Sequence, residues 1–291
     1  MKSQRIFTTA LIIILLPALV MSQNASVNAG KTAASVIDLI LRNTGVPVLL
    51  KTVDVIKEGN PETPVKGIVT SMFATMEVMK KAVEMNCNLI VVHEPLYYNH
   101  PDDTIQFQND QVFLEKQRYI KEHGLVIWRF HDHIHMMKPD GIGTGMIEKL
   151  GWKNYIVNGS VNKFVLPETT LNELLKYLKL KFPRNAFQVI GNPEMKLSKV
   201  ALAAGAPGSM SHIRLLEDDN IDVVMAGESP QWETYEYARD AVSQGRNKAV
   251  IFIGHIYSEE AGMDYCATWI KGFIKDIPIK YVECGPAYWT Y

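Results

Sequence analysis

Short apolar runs alternate with stretches of helical periodicity along most of this chain. Val65 to Ser71 predicts a strand, Thr75 to Met85 an amphipathic helix and Asn88 to Val92 a short, fully buried strand, which together make a βαβ unit. Ahead of it, Ala33 to Arg42 has helical spacing and stops at Asn43-Thr44-Gly45. The alternation continues with a helix over Phe113 to His123, a strand over Leu125 to Phe130 and a helix over Thr144 to Leu150 closed by Gly151. A threonine-capped helix over Thr170 to Leu180 leads to strands at Val200 to Ala204 and Val223 to Ala226. Helices at Trp232 to Gln244 and Ser258 to Phe273 then enclose a strand at Ala249 to Ile253, and Ile279 to Glu283 reads as a last strand. Strands alternating with helices predict a mainly parallel α/β architecture.

The amino terminus breaks this pattern. Lys2 and Arg5 precede an apolar run from Ile6 to Met21, and Val20-Met21-Ser22 offers a cleavage point before Gln23. The run falls short of the roughly 20 apolar residues of a spanning helix, and Pro17 interrupts it, so a secretory signal peptide over residues 1–22 is expected rather than an anchor. The expected mature protein is exported, periplasmic or secreted, with no stable membrane anchor after cleavage. Its loss takes two positive charges and no negative one, moving the formal net charge from -1 to -3. With 30 basic against 31 acidic residues there is no field to bind nucleic acid by counterion release. Cys87, Cys266 and Cys284 are too few for a disulfide scaffold or a thiolate zinc site and read as buried apolar thiols, with one disulfide still open.

Three predicted strands end in a histidine, where ligands collect in open α/β sheets: His93 after NLIVV, His131 after LVIWRF and His255 after AVIFIG. Each has company. Glu94 follows His93 directly; in His131-Asp132-His133-Ile134-His135 an extended backbone would set the three imidazoles on one side; and Glu259 lies one helical turn beyond His255. A lone strand-end histidine is usually a hydrogen-bonded structural residue, and Glu259-Glu260 alone would be a dipole-favoured helix start. Their joint occurrence points to a metal site of mixed imidazole and carboxylate donors, which suits zinc, manganese, iron or cobalt.

HEPLYY at 93–98, HDHIH at 131–135 followed by GIGTGMIEKLG at 141–151, AGESPQW at 226–232 and GHIYSEEAGM at 254–263 resemble, in order, the signature blocks of the dinuclear-metal family called GTP cyclohydrolase type 2-like, known also from its NGG-interacting members. Gly205-Ala206-Pro207-Gly208-Ser209 resembles that family's glycine-rich turn. Glu94 stands where the family has a second histidine and His135 where it has an aspartate, so the exchange keeps four imidazoles and two carboxylates: His93, Glu94, His131, His135, His255 and Glu259. Trp232 stands where a histidine is usual. The resemblance implies two divalent metal ions, and because a carboxylate can bridge cations while an imidazole cannot, Glu94 or Glu259 must supply any bridge.

The resemblance further implies an α/β fold of two domains with mainly parallel sheets and the metal site in the cleft between them: residues 23–150 with 245–291 in the first, 151–244 in the second. The interval from Gly151 to Val200 is too short for the extra domain of longer members. A homo-oligomeric ring, a hexamer built from dimers as in relatives, is implied as well. The function expected is a metal-dependent hydrolase acting on a small molecule, with Glu228 a proton carrier or a supporting partner and His133 a supporting donor or spare ligand. Tyr97 and Tyr98 are expected as cavity wall. The alternative is a non-catalytic metal-binding ring or assembly protein. No Walker-type phosphate loop is present, and an exported protein meets little nucleoside triphosphate, so GTP is not the expected substrate.

Overall fold

The computed structural model describes residues 30–158, 160 and 162–289; the signal-peptide reading lies outside the described residues. Two five-stranded sheets make up the framework. In chain order the elements are α1 (Ala33–Asn43), β1 (Ile56–Glu58), β2 (Ile68–Ser71), α2 (Met76–Glu84), β3 (Leu89–Val92), α3 (Gln111–Glu122), β4 (Val126–Arg129), α4 (Asp132–Met136), α5 (Gly141–Leu150), β5 (Lys163–Thr170), α6 (Leu171–Lys181), β6 (Gln188–Ile190), β7 (Lys196–Ala203), α7 (Ser209–Glu217), β8 (Val223–Ala226), α8 (Glu236–Ser243), β9 (Ala249–Phe252), α9 (His255–Lys271) and β10 (Ile279–Tyr281).

The first sheet has the order β1-β4-β3-β2-β10 and the second β5-β7-β8-β9-β6. Strands β10, β2, β3 and β4 run parallel, as do β7, β8 and β9; only the edge strands β1, β5 and β6 are antiparallel. Every residue of β2, β3, β4, β8 and β9 is buried, which is why these strands are continuous apolar runs rather than alternating ones. Strand β9 pairs with β8 and β6 in the second sheet, so the chain returns to the first sheet only along α9, later than the boundary at residue 245 expected from the sequence.

Each sheet is covered on both faces. Val36 and Ile40 of α1 pack with Met263 and Ile270 of α9 on one side of the first sheet, and Val78, Met79, Phe113 and Ile120 of α2 and α3 on the other. The second sheet buries Leu150, Leu171, Leu174 and Leu178 on one face and Leu216 and Ala238 on the other. Helix α9 serves both cores, because Tyr257 near its start belongs to the second and Met263 onward to the first. It crosses α5 at glycine: a Cβ on Gly145 would stand 2.6 Å from Gly262 Cα, and one on Gly262 2.5 Å from Ile142 Cα. Only bare backbone permits this approach. The crossing fixes the start of α5 against α9, the helix that carries His255 and Glu259.

Candidate metal centre

His93 and Glu94 follow β3, His131 follows β4, Glu228 follows β8 and His255 opens α9 after β9. Parallel strands of both sheets therefore direct their carboxyl ends at one place, and all six expected ligands meet there. Glu259 Oε2 lies 3.0 Å from His255 Nε2 and 3.6 Å from His93 Nε2, and its Oε1 lies 3.9 Å from His135 Nε2. Glu94 Oε1 lies 3.1 Å from His255 Nε2 and 3.9 Å from His131 Nε2. His93 stacks on His131 with ring centroids 4.6 Å apart, and His135 stands edge-on to both at 4.9 and 5.1 Å.

The histidine trio is not arranged as the sequence suggested. Residues 132–136 form the short helix α4, not an extended segment, so His131 and His135 are neighbours by helical spacing while His133 points away. Asp54 forces this geometry. Its carboxylate accepts from the backbone N–H groups of His131, Asp132 and His133 at 2.7–2.8 Å, replacing a local cap, and Oδ2 also holds His133 Nδ1 at 2.7 Å. His133 is thus a buried anchor of the turn rather than a ligand.

The remaining ring nitrogens fit a cation. His131 Nδ1 faces Asp132 Oδ1 at 3.0 Å, His135 Nδ1 faces Asp140 Oδ2 at 3.0 Å, His255 Nδ1 faces Glu228 Oε1 at 3.2 Å and His93 Nδ1 faces the Phe130 carbonyl at 3.3 Å. An acceptor behind each Nδ1 places a hydrogen there and leaves Nε2 as the nitrogen turned to the centre. His93 Nε2 is fully buried and has no hydrogen-bond partner. A buried orphan of this kind calls for a ligand. Nitrogens of His93, His131 and His135 lie within 4.8 Å of one another, as do donor atoms of His93, Glu94 and Glu259, so this group could hold metal ions.

The charges agree with that role. Burial, and then the neighbouring His135 and His131, push the His93 imidazole well below its usual range, which keeps it neutral. Burial opposes charge on His255, yet hydrogen bonds to Glu228, Glu259 and Glu94 raise it to about 12, so three carboxylates compete for one cation. Burial likewise opposes ionisation of Glu94, but the His255 hydrogen bond and then the charges of His255, His131 and Arg129 hold it below the ordinary carboxylate range. His135 is held up by Asp140 against the pull of burial.

Three supporting residues escaped the sequence reading. Arg129, fully buried at the end of β4, donates to the backbone oxygen of His93 at 3.1 Å, to Glu94 Oε2 at 3.2 Å and to the His100 carbonyl at 2.5 Å. Its signal was a lone charge inside the apolar run LVIWRF. Asp140 caps α5 through Gly143 N at 3.0 Å while holding His135, and an aspartate before a glycine-rich helix start is a cap signal. Asp54 lies in a loop distant in sequence and gave no signal. Glu228, expected as a proton carrier or a supporting partner, stands behind His255 with Oε1 3.2 Å from its Nδ1, and its side chain is 58% exposed. Gly205 forms a cradle: at φ +65° its missing Cβ would stand 2.8 Å from Glu259 Cδ.

A cavity of about 1100 Å³ opens onto the cluster, bounded in part by Phe73, Met76, Leu96, Tyr98 and His100. Tyr98 is wall, as expected, whereas Tyr97 is buried and donates to Glu58 Oε1 at 3.0 Å. Trp232 is 77% exposed. The three cysteines are free; Cys87 and Cys266 are buried, and Cys284, expected to be buried, is half-buried on the cavity wall.

Fold and site together define an α/β protein whose two mainly parallel sheets present a histidine and carboxylate cluster that could hold metal ions. The chain belongs to the Duf34/NIF3 (NGG1p interacting factor 3) family, whose profile matches residues 45–284. It is similar to a protein of Clostridium acetobutylicum named GTP cyclohydrolase 1 type 2 homolog, 24% identical over 233 residues that span 76% of this chain and 82% of the relative. A second protein of that name, from Chlamydia trachomatis, is 19% identical over 74% of this chain and 82% of its own length. Among solved structures, a hypothetical protein of Staphylococcus aureus, SA1388, superposes with a TM-score of 0.71 at 16% identity, covering 90% of this chain and 99% of that one. A Bacillus cereus protein related to NIF3 gives 0.71 at 13% identity, covering 89% and 99%. These likenesses establish the shared α/β fold.

Proposed function

We propose that this protein is a metal-dependent hydrolase with a dinuclear centre, acting on a small molecule. The observation that carries the reading is the arrangement of four imidazoles, each backed at Nδ1 by an oxygen, with their Nε2 atoms turned toward Glu94 and Glu259. In this reading His93, Glu94, His131, His135, His255 and Glu259 hold two divalent cations of the zinc, manganese, iron or cobalt group. Such cations, when bound, supply Lewis acidity toward an electrophile and a more acidic water.

The chain's own residues do the rest. Glu259 faces three of the imidazoles with its two oxygens and would hold a cation together with them. Arg129 offsets the charge of buried Glu94 from beneath. Asp132, Asp140 and Glu228 fix ring orientation, and Glu228, being partly exposed on the cavity wall, is also the carboxylate best placed to exchange a proton with a substrate. The name carried by the relatives supports the hydrolase class. The expected leader at residues 1–22 argues for a periplasmic or secreted protein and so for a substrate other than GTP. We further propose a homo-oligomer, by the family a hexamer, with no nucleic-acid partner.

The test is to load the protein with zinc or manganese, count metal per chain, and screen phosphoesters, nucleotides and cyclic amides. Turnover that falls with His255→Ala in step with metal content is expected. Uniform inactivity of fully loaded protein would contradict the reading.

A further inference from the structure

His100 lies in the loop between β3 and α3, exposed on the cavity wall, with its ring centroid 5.8 Å from that of His131. Its proximity suggests a seventh ligand. The hydrogen bonding says otherwise. His100 Nδ1 lies 3.3 Å from Arg129 Nη2, and the same arginine binds the His100 carbonyl. A guanidinium only donates, so Nδ1 must present its lone pair and the neutral ring carries its hydrogen on Nε2. This is the opposite assignment from His93, His131, His135 and His255, whose Nδ1 atoms all face oxygen. Among the described residues no acceptor is bonded to His100 Nε2.

The rest of the wall narrows what could meet that hydrogen. Asn99, next in the loop, spends both its amide nitrogen and its oxygen on Asp103. Lys116 donates to the Leu96 carbonyl at 2.8 Å. Phe73, Met76 and Tyr98 supply apolar surface to the same cavity.

We propose that His100 is a specificity-determining hydrogen-bond donor, which donates through Nε2–H to an oxyanion of the substrate, phosphoryl or carboxylate, while the substrate's apolar body rests on the Phe73, Met76 and Tyr98 wall. The inference rests on the hydrolase reading for its substrate and adds the substrate's class: a small amphipathic oxyanion. Arg129 then serves two ends of the site, holding Glu94 for the metal side and the tautomer of His100 for the substrate side.

Two measurements test it on the full zinc-loaded chain. Imidazole ¹⁵N shifts should show His100 protonated at Nε2; a hydrogen at Nδ1 overturns the proposal. Calorimetric titration with phenyl phosphate and with benzoate should give binding of at least one, weakened about tenfold or more in His100→Phe. In His100→Gln, whose oxygen can accept from Arg129 while its amide donates, binding should stay within about threefold. Zinc content should be unchanged in both variants. Equal binding by wild type and His100→Phe, binding of neither probe, or loss of zinc from both variants overturns the donor role. Wild type that takes up no zinc removes the hydrolase reading itself, a distinct failure.

Discussion

Glu94 Oε2 lies 3.2 Å from Arg129 Nη2, with both side chains buried, while the other carboxylate oxygen faces His255 and His131. The Glu94 carboxylate brings charge into the interior, and this arginine is its partner at the end of the neighbouring strand. Replacing Arg129 with Met would strand the carboxylate and leave two backbone acceptors, the His93 and His100 carbonyls, without this donor. Denaturant unfolding of Arg129→Met should show a loss of about 3–5 kcal/mol. A loss below about 1 kcal/mol would mean that Glu94 is compensated otherwise.

Asp140 joins helix capping to ligand orientation, through Gly143 N and His135 Nδ1. Asp140→Ala should lower stability by about 0.5–2 kcal/mol. Competition with a chelator should show metal affinity reduced about 10–100-fold. Loss of stability alone, with unchanged affinity, would assign Asp140 to the fold only.

The proton on His255 sets a pH dependence. Its folded value, raised to about 12 by three carboxylates, lies far above neutral pH, so a cation reaching Nε2 must displace a proton. Metal affinity should therefore rise with pH, by up to about tenfold per unit for this one proton. Titration calorimetry at pH 7 in buffers of different ionisation enthalpy should report its release; buffer-independent heats would contradict the assignment.

Gly205→Ala should act through the Glu259 carboxylate. Its φ of +65° costs an alanine about 1–2 kcal/mol, and the added Cβ would press on the Glu259 carboxylate. Reduced metal content in a protein that still unfolds cooperatively is the expected result, read by elemental analysis beside circular dichroism.

The central strands and most helices were legible because fully buried parallel strands are unbroken apolar runs, as in LIVV of β3 and AVIF of β9. Edge strands β5 and β6 were not, since antiparallel edges with exposed positions dilute the apolar pattern. The convergence of the candidate ligand residues was legible from their strand-end positions and their resemblance to family blocks. The conformation of residues 131–135 was not, because it is imposed by Asp54, which lies some way off in sequence and donates no periodic signal. Arg129 and Asp140 were visible as types, a buried charge and a cap, but their service to Glu94 and His135 depends on three-dimensional contacts that no spacing encodes.

The central claim is that the convergent imidazoles and the Glu94 and Glu259 carboxylates hold a pair of cations, and anomalous diffraction from metal-soaked crystals tests it most directly. Two anomalous peaks among His93, Glu94, His131, His135, His255 and Glu259 are predicted, with their occupancy reduced in His255→Ala. Absence of any peak there at saturating metal, or peaks confined to surface residues elsewhere, would contradict it.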